Sequence, residues 1–293
     1  MRDGEWVRVR SGAYIAGPTP SDRFAARDLA AMARVTALAR QLTTRFAFSH
    51  SSAALIWGLP SWDTETRAHI TQPAETRGPD RDLVRHVRHL PADECTNVAG
   101  LPVTTLERTL VDCAMTVPPR WGLVLADAGL RAGAERAACQ AICAGLAGRR
   151  GIVMARAVIE LADDGAESPG ESSTRFTFLR AGFPVPRTQI EVPTHLGVFW
   201  SDLGWPEWAL LAEYDGRTKY GAAGTAVDAV VAEKRRQDAI EEAGRRVLRI
   251  TSADLRNDAA LVRRVLRFAP PGTAELLEPR RALTTRVKPV RPR

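Results

Sequence analysis

The 293-residue chain has no stretch approaching the roughly 18 consecutive apolar residues that a membrane-spanning helix needs, and its first residues are polar and charged, unlike the apolar core of a secretion signal. Neither a membrane-embedded nor an exported protein is expected. Cysteine is scarce: Cys95 and Cys113 stand alone, and Cys139 and Cys143 lie four apart in a helical pattern with no ligand partners beside them. That usage argues against a disulfide framework and reads as small buried helix residues in a reduced, cytoplasmic protein. Histidine offers no complete metal set. His86-x-x-His89 would put its rings on opposite faces of a strand, and no acid or thiol completes a set before the turn at Pro91. His50 reads as a helix-start residue, His69 as one of the alternating residues of a strand, and His195 as a turn residue. Acid is absent after Glu278, where six Arg or Lys follow with Pro279, Pro289 and Pro292, so an extended basic tail is expected over 271–293.

What is present is ordinary for a folded protein: 45% hydrophobic and 26% charged residues, long enough for two cores. The formal charge is +7 and the pI near 9.8, which favours a polyanionic partner. Trp6 to Arg10 and Tyr14-Ile15, joined by Ser11-Gly12-Ala13, predict a hairpin. A helix is expected over 21–45 with Ser21 as its cap, and a second after Ser49, closed by Gly58 and Pro60. Strands near 68–71 and 83–87 precede a strand-turn-helix unit over 98–114, and short helices fill 120–164. The polar, Gly- and Pro-bearing stretch LADDGAESPGE marks a boundary, dividing the chain into 1–164, 165–270 and the tail. The second part predicts helix, three strands, helix, strand, which suits an α/β fold with a mixed sheet.

The chemistry-bearing stretch runs from Phe199 to Leu255. Glu213 and Asp215, two apart in a strand, project to one face; with Asp202 ending the preceding strand, three carboxylates can converge. Converging carboxylates call for a cation, and oxygen ligands suit Mg²⁺ or Mn²⁺. Such an ion can polarise a phosphodiester and activate water, with Lys219 or Lys234 near the scissile phosphate. The competing reading is solvated acids at a strand end, with Asp215-Gly216 an ordinary turn. Trp200, Trp205 and Trp208 read as hairpin core more readily than as base-stacking platforms.

The combination Asp202…Glu213-Tyr-Asp-Gly…Lys219-Tyr-Gly…Glu233-Lys-Arg-Arg…Asp238…Gly244…Val247-Leu-Arg resembles very-short-patch-repair-like endonuclease domains of the PD-(D/E)xK superfamily, over about 167–258. The resemblance implies metal-binding roles for Asp202 and Glu213, with Glu171 as the acid of the preceding helix. Asp215 stands where the superfamily has its usual Lys, a departure that leaves Lys219 or Lys234 to substitute. Ser49-His50-x-Ser52-Ala53-Ala54…Trp57-Gly58-Leu59 and Gly100-Leu101-Pro102-Val103-Thr104…Arg108-Thr109-Leu110-Val111-Asp112 resemble the C-terminal part of AbiEi-type antitoxins. In that family a helix-turn-helix precedes the hairpin, and here the hairpin directly follows Met1, so a truncated winged-helix-type module is expected. Together the resemblances imply a metal-dependent DNA endonuclease with an antitoxin-like regulatory module. The alternative is a non-catalytic DNA-binding regulator or antitoxin that keeps the nuclease fold as a scaffold, with a partner toxin.

Overall fold

The computed structural model describes residues 6–17, 20–61, 67–75, 80–216 and 226–285. Among these, one compact unit takes 6–118 and 133–159, and the other takes 119–132 and 160–285.

The first unit opens with the expected antiparallel hairpin, β1 (Trp6–Arg10) and β2 (Ala13–Ala16). It packs on α1 (Arg23–Gln41), whose Arg34 and Gln41 donate to the carbonyls of Val9 and Ser11. Asp22, one residue after the expected Ser21, caps α1 by accepting from the Ala25 amide at 2.9 Å. Then come β3 (Ala47–Phe48), α2 (His50–Ile56), β4 (Ala68–Gln72), β5 (Leu83–Val87), β6 (Cys95–Val98) and β7 (Leu101–Thr104). They form a mixed sheet ordered β5-β4-β3-β7-β6, with β4–β5 and β3–β7 parallel. Interior position explains why β4 is buried at every residue and not only on alternate ones. Val35, Leu38, Phe48, Ile70 and Val103 form the core. The helix α3 (Leu106–Thr116) starts at its Thr105 cap within the expected strand-turn-helix unit, and α5 (Arg136–Gly145) and α6 (Ile152–Leu161) follow in the chain.

The second unit takes α4 (Pro119–Arg131), against the expected boundary at 164. The reason lies in Asp127, which is fully buried and ion-paired at 2.7 Å with the equally buried Arg175 of α7 (Pro169–Ala181). Ser168, Pro169 and Glu171 start α7: the Ser168 hydroxyl accepts from the Glu171 amide, while the Glu171 carboxylate takes the Ser168 hydroxyl and the Glu167 amide, each at 2.7 Å. Gly182 ends it in the left-handed region, φ 96°, where a Cβ would also strike the Glu278 backbone.

Three antiparallel strands follow, β8 (Arg187–Thr194), β9 (Gly197–Trp205) and β10 (Leu210–Asp215). The helix α8 (Ala226–Glu242) then crosses over to β11 (Arg246–Thr251), which pairs parallel with β10 and gives the order β11-β10-β9-β8. This is the predicted helix, three strands, helix, strand succession, and the fold is α/β with mixed sheets. Phe178, Phe183, Leu203, Trp205, Leu248 and Ile250 carry the core. Trp205, 1% exposed, is core as expected, whereas Trp200 is 53% exposed.

After β11 comes α9 (Asp258–Leu266), capped by Asn257. Of the expected tail, residues 271–285 depart from expectation and 286–293 lie outside the described residues. A short helix, α10 (Thr273–Leu276), is followed by Arg280, which donates to the Leu179 and Phe183 carbonyls at the end of α7, and by Leu283, 1% exposed. The satisfied helix-end carbonyls and one buried leucine order the segment through 285. No helix among the described residues is long and apolar enough to cross a membrane.

Candidate functional site

The acidic edge of the second unit is set by a break in the sheet. β9 and β10 pair from Trp205–Leu210 to Leu203–Ala212, and there the ladder stops. Asp202, next along β9, instead turns its carboxylate to accept the Tyr214 amide at 2.7 Å. On its other side, Thr188 pairs with Leu203 and Ile190 with Ser201, which leaves Gln189 opposite Asp202 with φ 46°. A non-glycine residue in that region is uncommon and marks a place where surrounding structure overrides local preference.

Glu213 does not stand open beside Asp202. Arg236 of α8 grips both of its oxygens, at 2.9 and 2.6 Å, and also holds Glu233, which meets Arg249 of β11. β10 and β11 place Glu213 and Arg249 side by side, so acid and base alternate through four residues. Hydrogen bonds to Glu213 and Glu233 raise Arg236 above the usual arginine range, and the Arg236 bond holds the Glu233 carboxyl down. Thus the α8 cation that reaches the carboxylates is Arg236. Lys234 is exposed, and Lys219 lies outside the described residues. Glu171 is 9% exposed and occupied at the start of α7. Asp215 is half-buried and pairs in register with Thr251. Among the described residues, Asp202, Glu213 and Asp215 do not gather closely enough to share one ion as they stand.

Behind this edge, at the opposite end of β10 and β11, lies a groove of about 700 Å³. Arg245, Arg246 and Arg267 line it together with Trp208 and Phe268. The Arg246 guanidinium sits 4.6 Å from the centre of the Phe268 ring, and Arg245 is anchored on the Pro206 carbonyl at 2.6 Å. Guanidinium groups beside aromatic faces offer both halves of a nucleotide contact, charge for phosphate and a platform for a base.

The first unit holds a cluster that sequence reasoning missed. His50, His69 and His86, all buried, bring their ring nitrogens within 4.8 Å of one another. His86 is partnered with His69 of the neighbouring strand rather than with His89, which is exposed. The only available signal was the presence of three histidines, since the parallel register that joins β4 to β5 is not a local property.

An α/β chain with mixed sheets, an acid-base edge and an arginine groove is the class of protein that these features define. No model of a known protein family matches the sequence. Over 263 residues it is 30% identical to the uncharacterized proteins MT2308 and Rv2248 from two strains of Mycobacterium tuberculosis, covering 88% of this chain and 90% of each of theirs. The chain belongs to the family of these mycobacterial proteins. Among solved structures, the RV2827C protein from Mycobacterium tuberculosis is similar over 54% of this chain and 61% of its own, at 21% identity and a TM-score of 0.35.

Proposed function

We propose that the chain is a nucleic-acid-binding regulator of the antitoxin type, which uses its nuclease-like second unit as a DNA-binding scaffold, with a toxin as protein partner. The observation that carries this reading is the arginine groove, Arg245, Arg246 and Arg267 beside Trp208 and Phe268, in a chain of pI near 9.8. The Arg236 grip on Glu213 supports binding over cleavage, because it already neutralises the acid that a metal would need. A second reading, metal-dependent DNA hydrolysis, is favoured by the ladder break at Asp202 next to Glu213 and Asp215. In that reading Asp202, Glu213 and Asp215 would hold Mg²⁺ or Mn²⁺ once Arg236 releases Glu213, and the ion would supply an activated water for the phosphodiester.

Fluorescence anisotropy on duplex oligonucleotides across a salt series, with plasmid cleavage in Mg²⁺ or Mn²⁺, separates the two. The regulator binds without cutting, and Arg246→Ala with Arg267→Ala lowers the salt slope by about 1.8, the loss of two phosphate contacts. Cutting that Asp202→Ala with Glu213→Ala abolishes establishes the endonuclease instead. Tighter binding to single-stranded RNA than to duplex DNA transfers the substrate to RNA. Absence of both binding and cutting sinks both readings.

A further inference from the structure

The histidine cluster has no part in either reading of the second unit. His50 opens α2, His69 lies on β4 and His86 on β5. They meet because β4 and β5 run parallel, with His86 opposite Thr71, and because the Ser49 amide donates to the His69 carbonyl at 3.0 Å, fastening the start of α2 to β4.

We propose that His50, His69 and His86 form a binding site for one zinc-class divalent ion. His69 Nδ1 and His86 Nε2 stand 3.1 Å apart, within a few tenths of the roughly 3.3 Å between two nitrogens on one tetrahedral zinc. His50 is 2% exposed, yet its Nε2 has no hydrogen-bond partner. Buried ring nitrogens are ordinarily satisfied, so an unpartnered Nε2 beside two other imidazoles points to a ligand. The other nitrogen of His50 is supported: Nδ1 lies 2.9 Å from the Ser49 hydroxyl, which accepts from Thr71 Oγ1 at 2.9 Å. With Nδ1–H donated to that hydroxyl, Nε2 carries the lone pair that coordinates.

Neutral nitrogen ligands select zinc, cobalt, nickel or copper over magnesium, which demands oxygen. His50 lies stacked on His86, with ring centres 3.6 Å apart and planes 11° apart, so coordination by all three requires the His50 ring to turn out of the stack. Three nitrogens leave a fourth position for water or a small anion.

The test uses the full chain, stripped with a chelator and titrated with Co²⁺ while its visible absorption is followed, then competed with Zn²⁺. One equivalent of tetrahedral-type cobalt is expected. It persists in His89→Ala with His195→Ala, which removes the other two histidines of the chain. It weakens at least a hundredfold in His69→Asn and in His86→Asn. Cobalt binding that is absent from the wild type, or unchanged in His86→Asn, overturns the proposal. Should both cluster variants misfold, the melting temperature of the His89→Ala/His195→Ala protein decides. A rise with Zn²⁺ but not with Mg²⁺ supports the site, and no rise overturns it.

Discussion

Replacing Arg175 by methionine tests the packing logic of the second unit most directly. Both side chains of the Arg175–Asp127 pair are 0% exposed. One Arg175 nitrogen meets the Asp127 carboxylate and the other the Leu161 carbonyl, each at 2.7 Å, while Asp127 also accepts the Asp163 amide at 2.8 Å. Methionine fills much of the volume but leaves a carboxylate buried without its cation. Breaking such a pair from one side costs about 3–5 kcal/mol. Burial already lifts the Asp127 carboxyl to about 6, with Arg175 pulling the other way. Without the guanidinium it rises further, so the folded variant takes up a proton near neutrality that the unfolded chain, titrating near 3.9, does not.

A carboxyl raised in the folded state adds stability as pH falls, so the deficit of the variant is largest at pH 8. It shrinks towards pH 6, below which the wild type takes up the same proton. Urea denaturation followed by circular dichroism at both pH values measures it. Asp127→Leu combined with Arg175→Met should recover most of the loss, because apolar side chains replace a buried ion pair at little cost. A deficit under about 1 kcal/mol at pH 8, one that does not change with pH, or a double variant no better than the single would refute the reasoning.

The histidine cluster gives the first unit the opposite response to acid. The unfolded chain protonates His86 near 6.5 and the folded chain near 3, under the burial and the charges of His69 and Arg88, so stability is full above 6.5 and is lost as pH falls towards 3. At pH 5 the loss from His86 alone is about 2 kcal/mol. Hydrogen exchange of the β4 amides, corrected for intrinsic rate, should quicken accordingly at pH 5, and equal protection at pH 5 and 7 would contradict it. At Gly170 an added Cβ would lie 2.0 Å from the Tyr214 ring. Gly170→Ala should therefore cost about 1–3 kcal/mol in a urea melt, and little in a Tyr214→Ala background; an equal cost in both would remove the ring from the explanation.

Local rules carried a large part of the architecture. Ser168 ahead of α7, Pro169 and Glu171 in its first turn and Gly182 behind it delimit the helix, because capping groups act within one turn. The same holds for Thr105 at α3 and for the succession from β8 to β11. Local rules failed where partners are distant. The tail composition favours an extended chain, yet the Arg280 contacts with the α7 carbonyls, about a hundred residues away in sequence, hold it. Glu213 and Asp215 share a strand in the expected way, but whether their charge is met by Lys219, Lys234 or Arg236 depends on how α8 lies on the sheet, and among the described residues the one that meets Glu213 is Arg236.

The sequence by itself determined which segments become most of the helices and strands and several of their ends, since caps, turns and apolar periods act over a few residues. Only the tertiary structure decided that Asp127 belongs with Arg175, that Arg236 closes on Glu213, and that three histidines 17 or more residues apart share one buried point. Those pairings follow from strand register and helix docking, which summed burial fixes and no short window of sequence contains.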